Sequence, residues 1–135
     1  MTDGTKGKIL MLDDDAVFIE LYAKKLESEG HEVHTALTVK EALEMLRSGF
    51  SPDIILFDVV MPEKSGFAFL EVLRSERLAP NAYLIALTNQ DDHYDKTMIE
   101  NRGAMRYIVK ATVMPAELAE VVNTVLVHRE NKQIS

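Results

Sequence analysis

Short apolar runs alternate along the chain with segments in which apolar residues recur every three or four positions. The runs have the length of β-strands, and the periodic segments have the spacing of amphipathic α-helices. Strict alternation of the two is typical of an α/β fold in which helices cover both faces of a parallel sheet. The predicted strands are 8–12, 32–36, 53–57, 82–87 and 106–109.

Residues with strong preferences for helix ends support this division. Thr38 and Glu41 have the spacing of a capping box, and Pro115 is suited to the first turn of a helix. Glycine just after a periodic segment favours a helix end. The sequence thus predicts helices ending at Gly30 and Gly49, helices over 67–77 and 91–102, and a last helix from Pro115 onward.

Polar residues follow four of the five apolar runs directly. They are Asp13, Asp14 and Asp15 after the first run, Asp58 after the third, Thr88 after the fourth and Lys110 after the fifth. Carboxyl ends of parallel strands lie at one edge of a sheet, where open α/β sheets bind ligands. Clustered carboxylates repel one another unless a cation neutralises them, and Mg²⁺ prefers such oxygen ligands. The pattern predicts phosphoryl chemistry on a metal.

Length, composition and charge exclude or disfavour several classes of protein. The chain of 135 residues fits one domain, predicted over 8–129, with a disordered tail at 1–7 and a second tail at 130–135. It has no cysteine, which excludes disulfides and thiolate chemistry, and no apolar run approaches the ~20 residues of a membrane span. We expect a cytoplasmic protein without membrane contact. The net charge of −7 disfavours nucleic-acid binding through this domain.

Taken together, these spaced positions resemble the receiver domain of two-component response regulators, the family of the chemotaxis response regulator. The matching features are the acidic group after the first strand, Asp58 with Met-Pro and Ser-Gly downstream, Thr88, and the spacing of Tyr107 and Lys110. Several spaced matches are far more specific than any one alone. The resemblance implies a flavodoxin-like (βα)5 sheet, doubly wound, with five parallel strands in the order 2-1-3-4-5.

The resemblance also implies a phosphoacceptor and a metal site. Asp58 would accept a phosphoryl group from a histidine kinase, a phosphotransfer protein or a small acyl phosphate. Asp13, Asp14, Asp58 and the backbone carbonyl of Val60 would hold Mg²⁺. Lys110 would offset charge on the phosphoryl oxygens as the transition state forms. The only catalysis expected is self-phosphorylation and self-dephosphorylation, so the protein would not be a turnover enzyme.

A switch is implied by two of the matching positions. Thr88 would bond a phosphoryl oxygen, and Tyr107 would move between outward and inward positions as Thr88 shifts. In the family, the surface formed by the fourth helix, fifth strand and fifth helix then binds a second copy or a target protein. Phosphorylation would shift a pre-existing equilibrium rather than build a new fold.

Two positions depart from the family pattern. Ala111 follows Lys110 where the family usually has proline after a cis peptide bond, and Asn89 stands where a small residue is usual. Val60 and Gln90 occupy positions that tune hydrolysis of the phosphoryl group. These departures keep open a degenerate receiver that binds proteins without phosphorylation.

A hydrolase of the haloacid dehalogenase type is a further alternative, because residues 13–17 also fit that family's DxDx[TV] motif. Asp13 would then be the nucleophile and Asp15 the general acid. That interpretation leaves Asp58 unexplained. Asp15 also fits a simpler role, as the N-cap of the first helix.

Overall fold

The computed structural model describes residues 6–61, 65–89 and 96–134. Its five strands form one parallel sheet in the order β2-β1-β3-β4-β5, which confirms the predicted fold. The elements in chain order are β1 (Lys8–Leu12), α1 (Ala16–Ser28), β2 (Glu32–Ala36), α2 (Val39–Arg47), β3 (Ile54–Asp58), α3 (Gly66–Glu76), β4 (Tyr83–Thr88), α4 (Lys96–Asn101), β5 (Arg106–Val109) and α5 (Pro115–Ile134).

The sheet separates two hydrophobic cores. Side chains from α1 and α5 pack on one face of the sheet, and those from α2, α3 and α4 pack on the other. Because β3 is the middle strand, all five of its residues are buried, which explains why its sequence is apolar on both faces. Phe57 of β3 and Phe69 of α3 are both fully buried, with ring centroids 6.3 Å apart.

Polar side chains begin three of the helices next to the sheet edge that carries the site. Asp15, Thr38 and Ser65 each accept a hydrogen bond from a backbone N–H of the first turn of α1, α2 and α3. Glu41 accepts from the backbone N–H of Leu37, the residue before the cap, rather than from that of Thr38. Gly49 follows α2 with φ of 113°, so it takes the left-handed conformation expected at a helix end.

Several boundaries differ from those predicted. Both β3 and β4 end one residue later, because Asp58 pairs with Leu87 and Thr88 pairs with Val109 in the parallel ladders. The last helix continues to Ile134, through the segment predicted as a tail, since no glycine or proline follows Pro115 to end it.

The structure tests only part of the predicted N-terminal tail and of the predicted fourth helix. Gly7, in the predicted N-terminal tail, is buried and donates its backbone N–H to Nδ1 of His31 at 3.1 Å. Residues 1–5, and the first part of the predicted fourth helix at 91–95, lie outside the described residues. Among the helices that are described, none is long and apolar enough to cross a membrane.

Candidate functional site

Two carboxylates lie side by side at the carboxyl ends of β1 and β3. These strands are neighbours in the sheet, with Leu12 opposite Phe57, so the residues that follow each of them meet at one edge. Asp13 is completely buried and Asp58 is 2% exposed, whereas Asp14 is exposed. One carboxylate oxygen of each of these three residues lies within 4.8 Å of the others. The structure therefore brings together the three carboxylates that were predicted to hold a metal ion, those of Asp13, Asp14 and Asp58.

Asp13 is held in place by the backbone and by Lys110. Its Oδ1 accepts hydrogen bonds from the backbone N–H of Asp15 at 2.9 Å and from Nζ of Lys110 at 3.0 Å. Its Oδ2 lies 2.8 Å from Nζ of Lys110, but accepts no well-oriented hydrogen bond from the described residues although it is buried. A buried carboxylate oxygen without a proper donor is a ready ligand for a cation.

Asp58 has two unequal oxygen environments. Its Oδ1 accepts the backbone N–H of Val60 at 3.0 Å, and its Oδ2 lies 3.6 Å from Nζ of Lys110. Gly66 packs against the backbone carbonyl of Asp58, and a Cβ at that glycine would overlap this oxygen. The side chain is thus oriented by the turn after β3, and the turn depends on glycine at position 66.

The electrostatics of the site favour the binding of a cation. Burial and the neighbouring Asp13 carboxylate raise the pKa of Asp58 to about 7, against the opposing effects of the Val60 N–H and Lys110. Burial also raises the pKa of Asp13 above its ordinary value, although Lys110 opposes this. Burial alone would lower the pKa of Lys110, but the carboxylates outweigh it and raise that pKa. Negative charge is therefore costly here without a further cation.

A hard divalent ion fits the donor set. Asp13, Asp14 and Asp58 offer only carboxylate oxygens, the ligands that Mg²⁺ prefers, and one of those oxygens is the poorly satisfied Oδ2 of Asp13. The exposure of Asp14 leaves the cluster open to solvent on one side, which suits an ion that keeps several waters. Val60 follows the cluster in sequence, and a metal contact from its carbonyl stays a prediction.

Thr88 and Tyr107 lie on the two strands beyond Asp58. Thr88 ends β4, is buried, and its hydroxyl donates a long hydrogen bond of 3.5 Å to the carbonyl of Ile108 on β5. The carbonyl of Thr88 accepts the backbone N–H of Lys110 at 2.7 Å, which fixes the start of the loop after β5. The side chain of Tyr107 is 37% exposed and lines a surface cavity of about 340 Å³ together with Tyr83 and Glu100.

Comparison with known proteins agrees with this geometry. Residues 9–123 match the family model of the response regulator receiver domain. The chain belongs to this family. Receiver domains of two-component systems interact with histidine kinases and phosphotransfer proteins.

Individual relatives support the assignment of this receiver domain. The alkaline phosphatase synthesis transcriptional regulatory protein PhoP of Bacillus subtilis is 33% identical over 103 residues, which are 76% of this chain and 42% of PhoP. The transcriptional regulatory protein CpxR of Escherichia coli is 36% identical over 104 residues, which are 77% of this chain and 43% of CpxR. The chain thus matches less than half the length of these curated relatives.

Solved structures show the same fold. A CheY-like response regulator receiver domain protein from Methanospirillum hungatei superimposes with a TM-score of 0.81 at 30% identity, covering 95% of this chain and 99% of that protein. The chemotaxis response regulator CheY4 of Vibrio cholerae gives a TM-score of 0.78 at 28% identity, covering 90% and 99% of the two chains. The receiver fold therefore extends over nearly the whole chain.

The structure shows the backbone before Ala111 and the exposure of Asn89, the two residues that depart from the receiver pattern. The described residues contain no cis peptide bond, so the bond between Lys110 and Ala111 is trans. This agrees with the ~3–4 kcal/mol cost of a cis bond before a residue other than proline. Asn89 is exposed just after Thr88, and Gln90 lies outside the described residues.

The structure also assigns Asp15 and identifies a residue that the sequence did not single out. Asp15 Oδ1 accepts the backbone N–H of Phe18 at 3.1 Å, so this carboxylate is the N-cap of α1 rather than a free general acid. This capping role and the family membership together count against a haloacid dehalogenase. Phe18 itself lies under Lys110, with Nζ 4.9 Å from the ring centroid. An aromatic residue in the first turn after the acidic group was the only signal of this contact in the sequence.

Proposed function

We propose that this receiver domain accepts a phosphoryl group on Asp58 in a magnesium-dependent reaction. A histidine kinase, a phosphotransfer protein or a small acyl phosphate would be the donor. The observation that carries the proposal is the position of the Asp58 carboxylate, beside the carboxylates of Asp13 and Asp14 and 3.6 Å from the ammonium of Lys110. A nucleophile, a cation site and a fixed positive charge meet there at the crevice where such sheets bind ligands.

The reaction is a phosphoryl transfer to a carboxylate. An oxygen of Asp58 forms a new bond to phosphorus, and the bond from phosphorus to the donor breaks, releasing the imidazole of a phosphohistidine or the carboxylate of an acyl phosphate. When bound by Asp13, Asp14, Asp58 and the Val60 carbonyl, Mg²⁺ would supply charge neutralisation for the phosphoryl oxygens. Water that later attacks the phosphorus would break its bond to the Asp58 oxygen, release inorganic phosphate and restore the Asp58 carboxylate.

Lys110 and Thr88 are proposed to stabilise the transferred group. The ammonium of Lys110 already lies between the carboxylates of Asp13 and Asp58, so it can offset charge that develops on a phosphoryl oxygen without a large movement. The hydroxyl of Thr88 makes only a long hydrogen bond to β5, so little is lost when it turns toward a phosphoryl oxygen.

Thr88 and Tyr107 also form the proposed switch. They lie on the adjacent strands β4 and β5, and Tyr107 is partly exposed beside Glu100 at the end of α4. Movement of Thr88 toward a phosphoryl group would free space for Tyr107 to turn inward. This change would alter the surface of α4, β5 and α5, through which a second copy or a target protein would bind.

The proposal also implies a role for the domain in the cell. Phosphorylation and hydrolysis at Asp58 make the domain a signalling switch in the cytoplasm, not an enzyme acting on metabolites. The relatives PhoP and CpxR are transcriptional regulators, but the acidic charge of this domain favours an output through protein contacts rather than direct DNA binding.

Intact-protein mass after incubation with acetyl phosphate tests the proposal. We expect one phosphoryl adduct that requires Mg²⁺ and is absent from Asp58→Asn. Asp53→Asn is the matched control, because Asp53 precedes the same strand and accepts the backbone N–H of Lys8 far from the site. An adduct on Asp58→Asn would contradict the proposal. No adduct on the folded wild-type protein would instead indicate a phosphorylation-independent binding module.

A further inference from the structure

The ammonium of Lys110 lies over the face of an aromatic ring as well as beside two carboxylates. Nζ is 4.9 Å from the ring centroid of Phe18, and 2.8 Å and 3.6 Å from the nearest oxygens of Asp13 and Asp58. A cation over a ring face is attracted by the ring's negative π surface, and more strongly where water is excluded. The Lys110 side chain is only 11% exposed, so the contact lies in such an environment.

Phe18 is itself fixed from two sides. Its ring is stacked on that of Tyr22, one turn later in α1, with centroids 4.1 Å apart and planes 19° apart. Its backbone N–H is bound by the cap residue Asp15. Both rings are buried, so Phe18 presents a rigid surface to the ammonium.

The same aromatic pair also contacts the loop that carries Lys110. The hydroxyl of Tyr22 donates a hydrogen bond of 2.5 Å to the carbonyl of Val113, three residues after Lys110. The start of the loop is held by the hydrogen bond from Lys110 N–H to the Thr88 carbonyl. Helix α1 thus holds both the end of the lysine side chain and the far end of its loop.

The Lys110 side chain is flexible, so contacts that fix the position of its ammonium matter at this site. Lysine has four flexible side-chain bonds, and its ammonium has no preferred planar geometry that would orient it. Ala111 provides no ring to stiffen the backbone after Lys110. The carboxylates attract the ammonium toward the acidic cluster, and the ring of Phe18 limits where it can lie around that cluster.

We propose that Phe18, supported by Tyr22, is a positioning residue that holds the ammonium of Lys110 where it meets the transferred phosphoryl group. This inference rests on the proposed function, and it adds a residue that acts on the reaction only through Lys110. Other aromatic residues at position 18 will preserve the effect, whereas aliphatic residues of similar size will fill the core without it.

Proton NMR of the lysine side chain tests the contact independently of phosphorylation. Protons above an aromatic ring are shifted upfield by the ring current, so the CεH2 protons of Lys110 should lie upfield of those of exposed lysines. Phe18→Leu should move them back toward the exposed lysines, and Phe18→Tyr should keep them upfield. Unshifted Lys110 protons in the wild-type protein would overturn the proposal.

The rate of adduct formation from acetyl phosphate with saturating Mg²⁺ tests the consequence. We expect Phe18→Leu to be slower by about three- to tenfold, which corresponds to the loss of one cation–π contact, and Phe18→Tyr to stay within about twofold of wild type. If Phe18→Leu does not fold, Phe18→Met serves as the aliphatic variant. Phe50→Leu is the matched control, because that ring packs on His34 of β2, the edge strand on the opposite side of the sheet from β5.

The outcomes separate the two claims. If wild-type protein forms an adduct and Phe18→Leu forms it equally fast after losing the upfield shift, the positioning role has failed and the proposed function stands. If Phe18→Tyr is as slow as Phe18→Leu, the role of the ring is packing alone, which also overturns the inference. If wild-type protein forms no adduct, the proposed function itself has failed.

Discussion

Lys110 forms its closest ion pair with Asp13, a residue 97 positions earlier in the chain, with Nζ 2.8 Å from Oδ2 and 3.0 Å from Oδ1. The distance from the same nitrogen to Asp58 is longer, at 3.6 Å. Asp13 is completely buried, so this lysine neutralises a charge that water cannot reach. Lys110 therefore stabilises the unphosphorylated domain and also takes part in the proposed reaction.

Removal of this lysine should destabilise the domain most when no metal is present. We expect Lys110→Ala to lower the free energy of unfolding by about 1–3 kcal/mol, because the Asp13 carboxylate loses its buried partner. Added Mg²⁺ should recover much of that loss and bind the variant more tightly than wild type, since the competing positive charge is gone. Urea unfolding with and without Mg²⁺ measures both effects.

Lys25→Ala is the matched control for this experiment. Lys25 pairs with Glu29 at 3.3 Å on the surface of α1, where an ion pair contributes less than about 1 kcal/mol. Equal stability of Lys110→Ala and wild type without metal would show that Asp13 is neutralised in another way.

The raised pKa of Asp58 predicts a pH-dependent stability. Burial raises the pKa of Asp58 from its ordinary value of 3.8 to about 7 in the folded domain, so the folded state binds the proton more tightly than the unfolded chain. The penalty for ionising Asp58 is absent below pH ~4, grows as the pH rises, and is complete above pH ~7.

Asp58→Asn removes that penalty and reveals its size. Without divalent ions, we expect this variant to be more stable than wild type at pH 8 and of similar stability at pH 4. Urea midpoints measured across this range report the difference between the two proteins. A constant difference across the range would contradict the raised pKa, and added Mg²⁺ should reduce the advantage of the variant at pH 8.

Gly66 should tolerate no side chain. A Cβ there would overlap the carbonyl oxygen of Asp58 and lie 2.8 Å from the ring of Phe57, both of which are fixed in the buried strand β3. We expect Gly66→Ala to cost about 2–4 kcal/mol of unfolding free energy and to slow adduct formation, because the turn that orients Asp58 must shift.

Gly49→Ala separates this steric effect from backbone strain. No atom of the described residues lies within 4 Å of a Cβ at Gly49, whose φ of 113° alone opposes alanine. This control should cost about 1–2 kcal/mol and leave adduct formation unchanged. Equal rates of adduct formation in the Gly66 and Gly49 variants would refute the link between Gly66 and Asp58.

Local patterns predicted the alternating elements and the meeting of polar residues at one sheet edge, whereas the strand order 2-1-3-4-5 was implied by the resemblance to receiver domains. Apolar runs and periodic segments define the alternating elements, and parallel strands then bring Asp13 and Asp58 to one edge. The strand limits at Asp58 and Thr88 were one residue short, because a polar residue that ends an apolar run can still pair in the ladder. Asp15 was correctly expected as a helix cap.

Contacts between distant segments were beyond the reach of the sequence pattern. The position of Phe18 under Lys110 depends on how α1 packs beside the loop after β5, and hydrophobic periodicity shows only that Phe18 faces a core. The close approach of Gly66 to Asp58 likewise depends on the path of the backbone after β3. Such contacts arise only through tertiary packing, which local sequence patterns do not specify.

The position of the acyl phosphate within the chain is the most direct test of the account. Borohydride reduces a phosphorylated aspartate to homoserine, which can be located by fragmenting two tryptic peptides: 48–64, which contains Asp53 and Asp58, and 9–24, which contains Asp13. The account predicts homoserine at position 58 alone, only after incubation with acetyl phosphate and Mg²⁺. Homoserine at position 13, or at no position in a protein that has gained a phosphoryl mass, would contradict it.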